Sequence, residues 1–274
     1  MFERLQNIDR RIIYTILFLV CFFPMVRPLG IPLQINKTTH QVYDFIENLD
    51  PATDKVLFAM DYSVGGQADV HPQAVVVAKH LAKLHIPTVM VSFVAGGPMF
   101  AEQIITELGD KVVYGTDVVN LGYMSGAETA VKSFVNNPQN SFIKDERGKT
   151  VADLPIMQGI EKIEDFAVII DYQTGNPGYS DFLRQMPVGM PYIAGIVTVS
   201  VPNLIPYLNS GQLSGMLPGL RGAAEYEVLL GEPGQGAAGM DAQSMGHLVI
   251  ILFIVVGNAA YFLTNKKKGS GHGA

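Results

Sequence analysis

Two apolar runs of the chain end in the same pair of residues: "KVLFAMDY" closes on Asp61 and Tyr62, and "DFAVIIDY" closes on Asp171 and Tyr172. A carboxylate at the polar end of an apolar strand can hold a ligand, or move a proton when burial or a neighbouring acid raises its pKa. Glycines stand beside these ends. Gly65 and Gly66 follow Asp61, "SFVAGGP" places Ser92, Gly96 and Gly97 at the end of another apolar run, and "SVPN" opens with Ser200. Asp61, Gly65, Gly66, Ser92, Gly96, Gly97, Asp171 and Ser200 therefore form the candidate ligand-binding set, acids and hydroxyls for a polar ligand and glycines for close backbone approach. The plainer role for the same residues is to cap helices and turn the chain.

More specific catalytic patterns are missing. There is no Gly-x-Gly-x-x-Gly after the first apolar run, no Walker loop and no Gly-x-Ser-x-Gly elbow; Ser125 in "GYMSGAE" lacks the spacing. "SFIK", Ser141 to Lys144, matches Ser-x-x-Lys in form but lies in a charged stretch, where a solvated lysine stays protonated and is no base. Asp69 and His71 lie near Asp61, but His80 and His85 fall in a different helical region, and neither His-Glu-x-x-His nor a cysteine pair occurs. No metal and no cofactor is expected. The stretch "DYSVGGQADVHPQAVVVAKHLAKLHIPTVMV" looks like the opening of membrane-anchored serine peptidases of the ClpP and crotonase type. That resemblance implies an oxyanion pocket shaped by glycines and a serine nucleophile. The nucleophile would have to be Ser92 or Ser125, and neither has a recognisable lysine or histidine partner.

The elements that must position these residues alternate. "KVLFAMD", "PTVMVSFV", "KVVYGTDVVNLGY", "DFAVIID" and "YIAGIVTVSV" read as strands; "HPQAVVVAKHLAKLHI", "GGPMFAEQIITELG", "SGAETAVKSFVNN" and "PGYSDFLRQMP" read as the helices between them, with Pro72 in a first turn. Apolar runs without alternation, separated by helices, predict a parallel sheet of about five strands in a Rossmann-like three-layer α/β sandwich. A helix over "THQVYDFIENLD" precedes it, and "NPQNSFIKDERGKTVADLP" is a polar insert.

Both ends of the chain are apolar. Residues 245–264 carry no charge and are followed by Lys266, Lys267 and Lys268; about 20 helical residues span roughly 30 Å, the thickness of a bilayer core. Asp241 is placed to cap that helix. At the other end, apolar residues 12–26 cover only about 22 Å, so a first span has to borrow residues to Leu33, with Arg27 reaching for the headgroups. No small-x-small cleavage site follows, which favours an uncleaved anchor over a signal peptide. Arg4, Arg10, Arg11 and the three lysines flank the outer ends, against Arg27 and Lys37 on the inner flanks. The positive-inside rule then places both termini in the cytoplasm of a prokaryote and the intervening domain outside its plasma membrane. The expected order is a cytoplasmic N-terminus over 1–11, a span over 12–33, an α/β domain over 34–230, a glycine-rich link over 231–244, a span over 245–264 and a cytoplasmic tail over 265–274.

Residues 34–244 hold 12 Lys and Arg against 23 Asp and Glu, a balance of −11, so nucleic acid is not an expected partner. The only cysteine, Cys21, lies in the first span, and no intrachain disulfide is possible. "GQLSGMLPGLRGAAEYEVLLG" and "GMDAQSMGHLVIILFIVVGNAAYF", with a weaker match from "VLFAMDY" onward, resemble an uncharacterised prokaryotic family of membrane proteins with two spans around an α/β domain. The resemblance implies that architecture and no activity; the "VGG" after Asp61 departs from its pattern.

Three functions follow from these readings. The first is a membrane-anchored assembly subunit, a homo-oligomer or a partner of other membrane proteins, touching through Gly257, Asn258 and Ala260 of the second span and through the small residues Gly222 and Ala223. The second is a small-ligand or peptide binding module at the strand ends. The third is a membrane-anchored hydrolase.

Overall fold

The computed structural model describes residues 9–270, with side chains over 9–262. Arg4 with most of the expected cytoplasmic N-terminus, residues 271–274 of the tail, and the side chains of Lys266, Lys267 and Lys268 lie outside that description. The chain divides into two units, Leu33–Gly236 and the terminal segments on either side of it.

The Leu33–Gly236 unit is an α/β sandwich on a six-stranded, all-parallel sheet. Strands β1 (Val56–Asp61), β2 (Thr88–Ser92), β3 (Val118–Tyr123), β4 (Val168–Gln173), β5 (Tyr192–Ile196) and β6 (Gly215–Pro218) stand in the order β3-β2-β1-β4-β5-β6. Four of the five expected strands match closely, and the third begins later, at Val118. The sixth, "GMLP", lies in a small-residue stretch outside the five expected strands. It is short and adds one more parallel rung, Ile193 to Gly215 through Ile196 to Pro218.

Helices α2 (Lys37–Glu47), α3 (Gln67–Lys83), α4 (Gly97–Leu108) and α8 (Gly219–Leu230) cover one face over Phe58, Met60, Val168 and Ile170. Helices α5 (Glu128–Asn136), α6 (Tyr179–Gln185) and α7 (Val201–Asn209) cover the other, over Leu57, Ala59, Val91 and Ile169. Burial on both faces is why the strands read as unbroken apolar runs. The insert read as polar contributes to this second face as well: Val151 and Leu154, like Ile156 and Met157 just beyond it, are buried there. Pro72, expected in a first turn, is the sixth residue of α3, because that helix starts directly after Gly66.

In the terminal unit, α1 (Arg10–Val26) has 17 residues, with Asp9 at its start accepting the Arg11 N–H at 2.9 Å. It ends at Val26, with Arg27 extended before Pro28, so the residues to Leu33 do not lengthen it; at 1.5 Å per residue it reaches about 25 Å. Helix α9 (Gln235–Ser270) is continuous, so most of the stretch read as a flexible link over 231–244 is helical. Among the described residues one helix is long and apolar enough to cross a bilayer, α9 over Gln235–Phe262, with a mean hydropathy of 2.0. Asp241 therefore lies inside this helix rather than at its start. Its carboxylate instead accepts the N–H groups of Leu29, Gly30 and Ile31 at 2.7, 3.0 and 3.3 Å, a concave run of amides turned by Gly30 at φ +69°. Gly246 lies against α1: a Cβ there would come within 3.2 Å of Cys21 Sγ.

Candidate functional site

The strand order reverses between β1 and β4, where a crevice opens in many α/β folds. In register, Ala59 pairs with Asp171 and Asp61 with Gln173. The two-residue period of a strand then sets Asp61 and Asp171 on the same face of the sheet, diagonally across adjacent strands. Asp61 and Asp171 are 1% and 0% exposed. Asp61 Oδ1 accepts the Phe93 N–H at 2.6 Å, and Ser92 Oγ lies 3.3 Å away. Asp171 Oδ2 accepts the hydroxyl of Tyr192, which Gln173 Nε2 reaches at 3.4 Å. The second oxygen of each acid, Asp61 Oδ2 and Asp171 Oδ1, is buried without a hydrogen-bond partner.

These surroundings disfavour charge. Burial pushes the Asp61 carboxyl up to about 7, against the Phe93 amide and the Ser92 hydroxyl, which favour the anion, and with the Asp181 carboxylate raising it further. Burial, and then the charge of Asp61, raises Asp171 well above the carboxylate range despite the Tyr192 hydroxyl. At neutral pH the pair therefore holds at least one proton. A carboxyl that titrates near neutrality is suited to general acid-base work, but here both acids are sealed from solvent.

Thr174 fills the space beside Gly66, a plug between the end of β4 and the start of α3: a Cβ on Gly66 would lie 2.0 Å from Thr174 Cγ2. The Ser63 N–H donates to Thr174 Oγ1 at 3.3 Å and the Thr174 N–H to Asp61 O at 3.3 Å. Gly97 serves a similar close approach, its notional Cβ meeting Ser92 Oγ at 2.0 Å and Met60 O at 2.2 Å. Both glycines therefore admit neighbouring parts of the chain. Gly65, Gly96 and Ser200 sit in the loops above, partly or fully exposed. The fold thus brings Asp61, Ser92 and Asp171 together with Gly97 packed against Ser92, and leaves Gly65, Gly66, Gly96 and Ser200 on the rim. Tyr192, Gln173, Asp181 and Thr174 complete the site. Of these only Asp181, in "GYSDF" after the β4 loop, stood in a motif-like position; Tyr192 opens a strand and carried no chemical signal of its own.

Other candidates resolve into separate structural pairs. Asp69 Oδ2 accepts from Thr198 at 3.2 Å, His71 Nδ1 meets Tyr62 Oη at 2.7 Å, and His80 bridges Tyr226 at 2.7 Å and Glu47 at 3.0 Å. Among the described residues no group of three His, Cys, Asp or Glu is placed to hold a metal ion. Ser141 Oγ donates to Asn137 O at 2.6 Å, and Lys144 is an exposed bridge partner of Thr150. The contact expected at Gly222 and Ala223 is covered by the chain itself. Gly222 lies against Leu217 and Pro218, and Ala223, 0% exposed, against Gly236. An open groove of about 640 Å³ runs beside β6, lined by Val201, Pro202, Ile205, Met216, Lys37 and Arg221 among others, away from the acid pair.

Comparison of the chain with protein-family models, with curated proteins and with solved structures gives no match.

Proposed function

We propose that this chain is a membrane-anchored, non-catalytic subunit that assembles with further copies or with other membrane proteins through α9. Asn258 carries the reading. It is an exposed amide on an apolar helix, with no hydrogen-bond partner among the described residues, and Gly257 beside it has nothing within 4 Å. A polar side chain facing lipid lacks partners, so an amide there favours a second helix. Thr15, a hydroxyl on α1 that could otherwise serve it, donates to Arg11 O of its own helix at 2.7 Å. In this reading α1 and α9 both cross the plasma membrane of a prokaryote, with termini cytoplasmic and the α/β domain outside. The two-span family resemblance and the terminal positive charges support that topology. The test is disulfide crosslinking through single cysteines at positions 257 to 260 in a Cys21→Ser background, with native mass measurement in mild detergent. Cross-linked chains at alternating helical positions, or a co-purifying membrane protein, are expected; a monomer with neither ends the proposal.

A second reading, a binding module at the strand ends, is favoured by the unpartnered oxygens of Asp61 and Asp171. It requires the sealed strand ends to open. Thermal shifts with alkali and alkaline-earth cations test it: a shift seen in the parent chain and lost in Asp171→Asn supports a site, and no shift in either leaves the acids as internal proton holders.

A further inference from the structure

The two ends of the sheet differ in charge. The loops that follow β1 to β5 at their carboxyl ends, 62–66, 93–96, 124–127, 174–178 and 197–200, contain no Lys, Arg, Asp or Glu in 22 residues, and β6 runs directly into α8. The six connections entering the amino ends of the strands contain 16 such residues in 63. At that density the carboxyl-end loops would carry five or six charges; at the amino ends the charges lie in the connections 48–55, 109–117 and 137–167, while 84–87, 186–191 and 210–214 also carry none.

The neutral edge also presents apolar side chains to the outside. Val64 is 67% exposed, Met99 50%, Tyr123 41% and Val199 84%, on the loops or first helical turns beyond β1, β2 and β5 and at the last residue of β3. They run across nearly the whole width of the sheet. Of the charged groups close by, Asp69 is engaged with Thr198 and Glu128 with Arg184 at 3.1 Å, while the exposed Glu146 lies beside Gly122 near the end of β3.

The chain also enters and leaves the domain at this edge. Arg221, in the first turn of α8 just past the end of β6, donates to Gln34 O at 3.0 Å, and the Asn36 N–H donates to Glu225 one turn further on, also at 3.0 Å. At the exit, a Cβ on Gly236 would lie 2.6 Å from the Ala224 nitrogen. Both connections to the apolar termini therefore start beside the first two turns of α8.

We infer that the carboxyl edge of the sheet is a lipid-facing surface, with Val64, Met99 and Val199 set into the headgroup layer of the membrane that anchors the chain. The inference rests on the membrane-anchor reading. Charge placed at the boundary of a low-dielectric phase is costly, and a segment such as 34–244, with a balance of −11, is repelled by anionic lipid. A neutral, apolar edge at the points of attachment avoids both penalties. Lys37, exposed in the first turn of α2, adds a cation within reach of lipid phosphate.

The experiment uses the full chain with Cys21→Ser, reconstituted in phosphatidylcholine vesicles and spin-labelled at single cysteines. Labels replace Val64, Met99 or Val199, with Val113 and Val188, exposed in connections at the amino end, as controls. All five side chains are exposed, so the fold tolerates the labels. Oxygen, which partitions into lipid, is expected to relax the first three labels several-fold more, relative to a water-soluble nickel chelate, than the two controls. Equal ratios at all five positions in chains that float with the vesicles overturn this inference alone. Labels at 64, 99 and 199 shielded from both reagents overturn it in favour of a protein partner. Chains that do not float with the vesicles overturn it together with the anchor reading.

Discussion

Two of the places where the domain buries carboxylates treat them in opposite ways. Glu225, fully buried on α8, accepts hydrogen bonds from the Asn36 N–H at 3.0 Å, Asn36 Nδ2 at 2.8 Å, the Thr39 hydroxyl at 2.6 Å and Arg221 Nε at 2.7 Å. Both of its oxygens are used, and they tie the start of α2 to α8. At the sheet centre, Asp61 and Asp171 have one partnered oxygen each, no cation, and each other's charge nearby. Depth is the same in both places. The supply of donors decides whether a buried acid is a fixed anion or a proton holder.

The largest expected effect that tests this contrast is on pH dependence. The folded-state pKa of Asp61, near 7, lies above its unfolded value of 3.8. Its contribution to stability is therefore fully present below pH 3.8 and is lost as pH rises through 7. At 1.36 kcal/mol per pKa unit the loss approaches about 4 kcal/mol between pH 4 and pH 8. Asp61→Asn should flatten that slope in urea unfolding of the detergent-solubilised chain, followed by far-UV circular dichroism. An unchanged slope would mean that the pair ionises without cost.

Glu225→Ala should destabilise the domain by about 3 kcal/mol, since three buried or half-buried donors and Arg221 lose their acceptor. The same unfolding experiment at pH 6 measures it; a loss below about 1 kcal/mol would make the site no better satisfied than the aspartates. Gly66→Ala should cost about 1–3 kcal/mol through overlap with Thr174, and Thr174→Ser, which removes the clashing Cγ2, should restore most of it. Two additive losses in that double-mutant cycle would show that Gly66 is not shaped by the plug. The smallest effect belongs to Tyr192→Phe, about 1 kcal/mol. Without the hydroxyl, which favours ionised Asp171, the acid should hold its proton to still higher pH. The C=O stretching band of the protonated acid in an infrared difference titration reads the shift directly.

Legibility differed between the sheet and the site. Strands β1, β2, β4 and β5 were visible because both of their faces are buried, so each is an uninterrupted apolar run bounded by polar or small residues. Strand β6 was hidden because four residues within "GQLSGMLPGL" carry no period, and only pairing with β5 makes them a strand. Asp61 and Asp171 stood out as polar ends of those runs, and the parallel register made them neighbours. The plug was invisible, because a glycine that admits a ligand and one that admits Thr174 are the same residue in a sequence. The small residues Gly222 and Ala223 illustrate the same ambiguity: they allow close packing, but not a choice between another chain and their own.

Local composition determined the alternation of strands and helices, the apolar character of both termini, the acidity of the domain and its lack of nucleotide-binding signatures. Each of these depends on side-chain chemistry read over a few consecutive residues. Tertiary structure alone decided that the two aspartates are sealed, that Tyr192 satisfies one of them, that Asp241 holds the turn after α1, and that five uncharged loops scattered over 62–200 form a single edge. Those outcomes rest on contacts between residues far apart in the chain. Their energies depend on which donors, acceptors and volumes the fold brings within about 3 to 4 Å, and that arrangement has no counterpart in the spacing of residues along the chain.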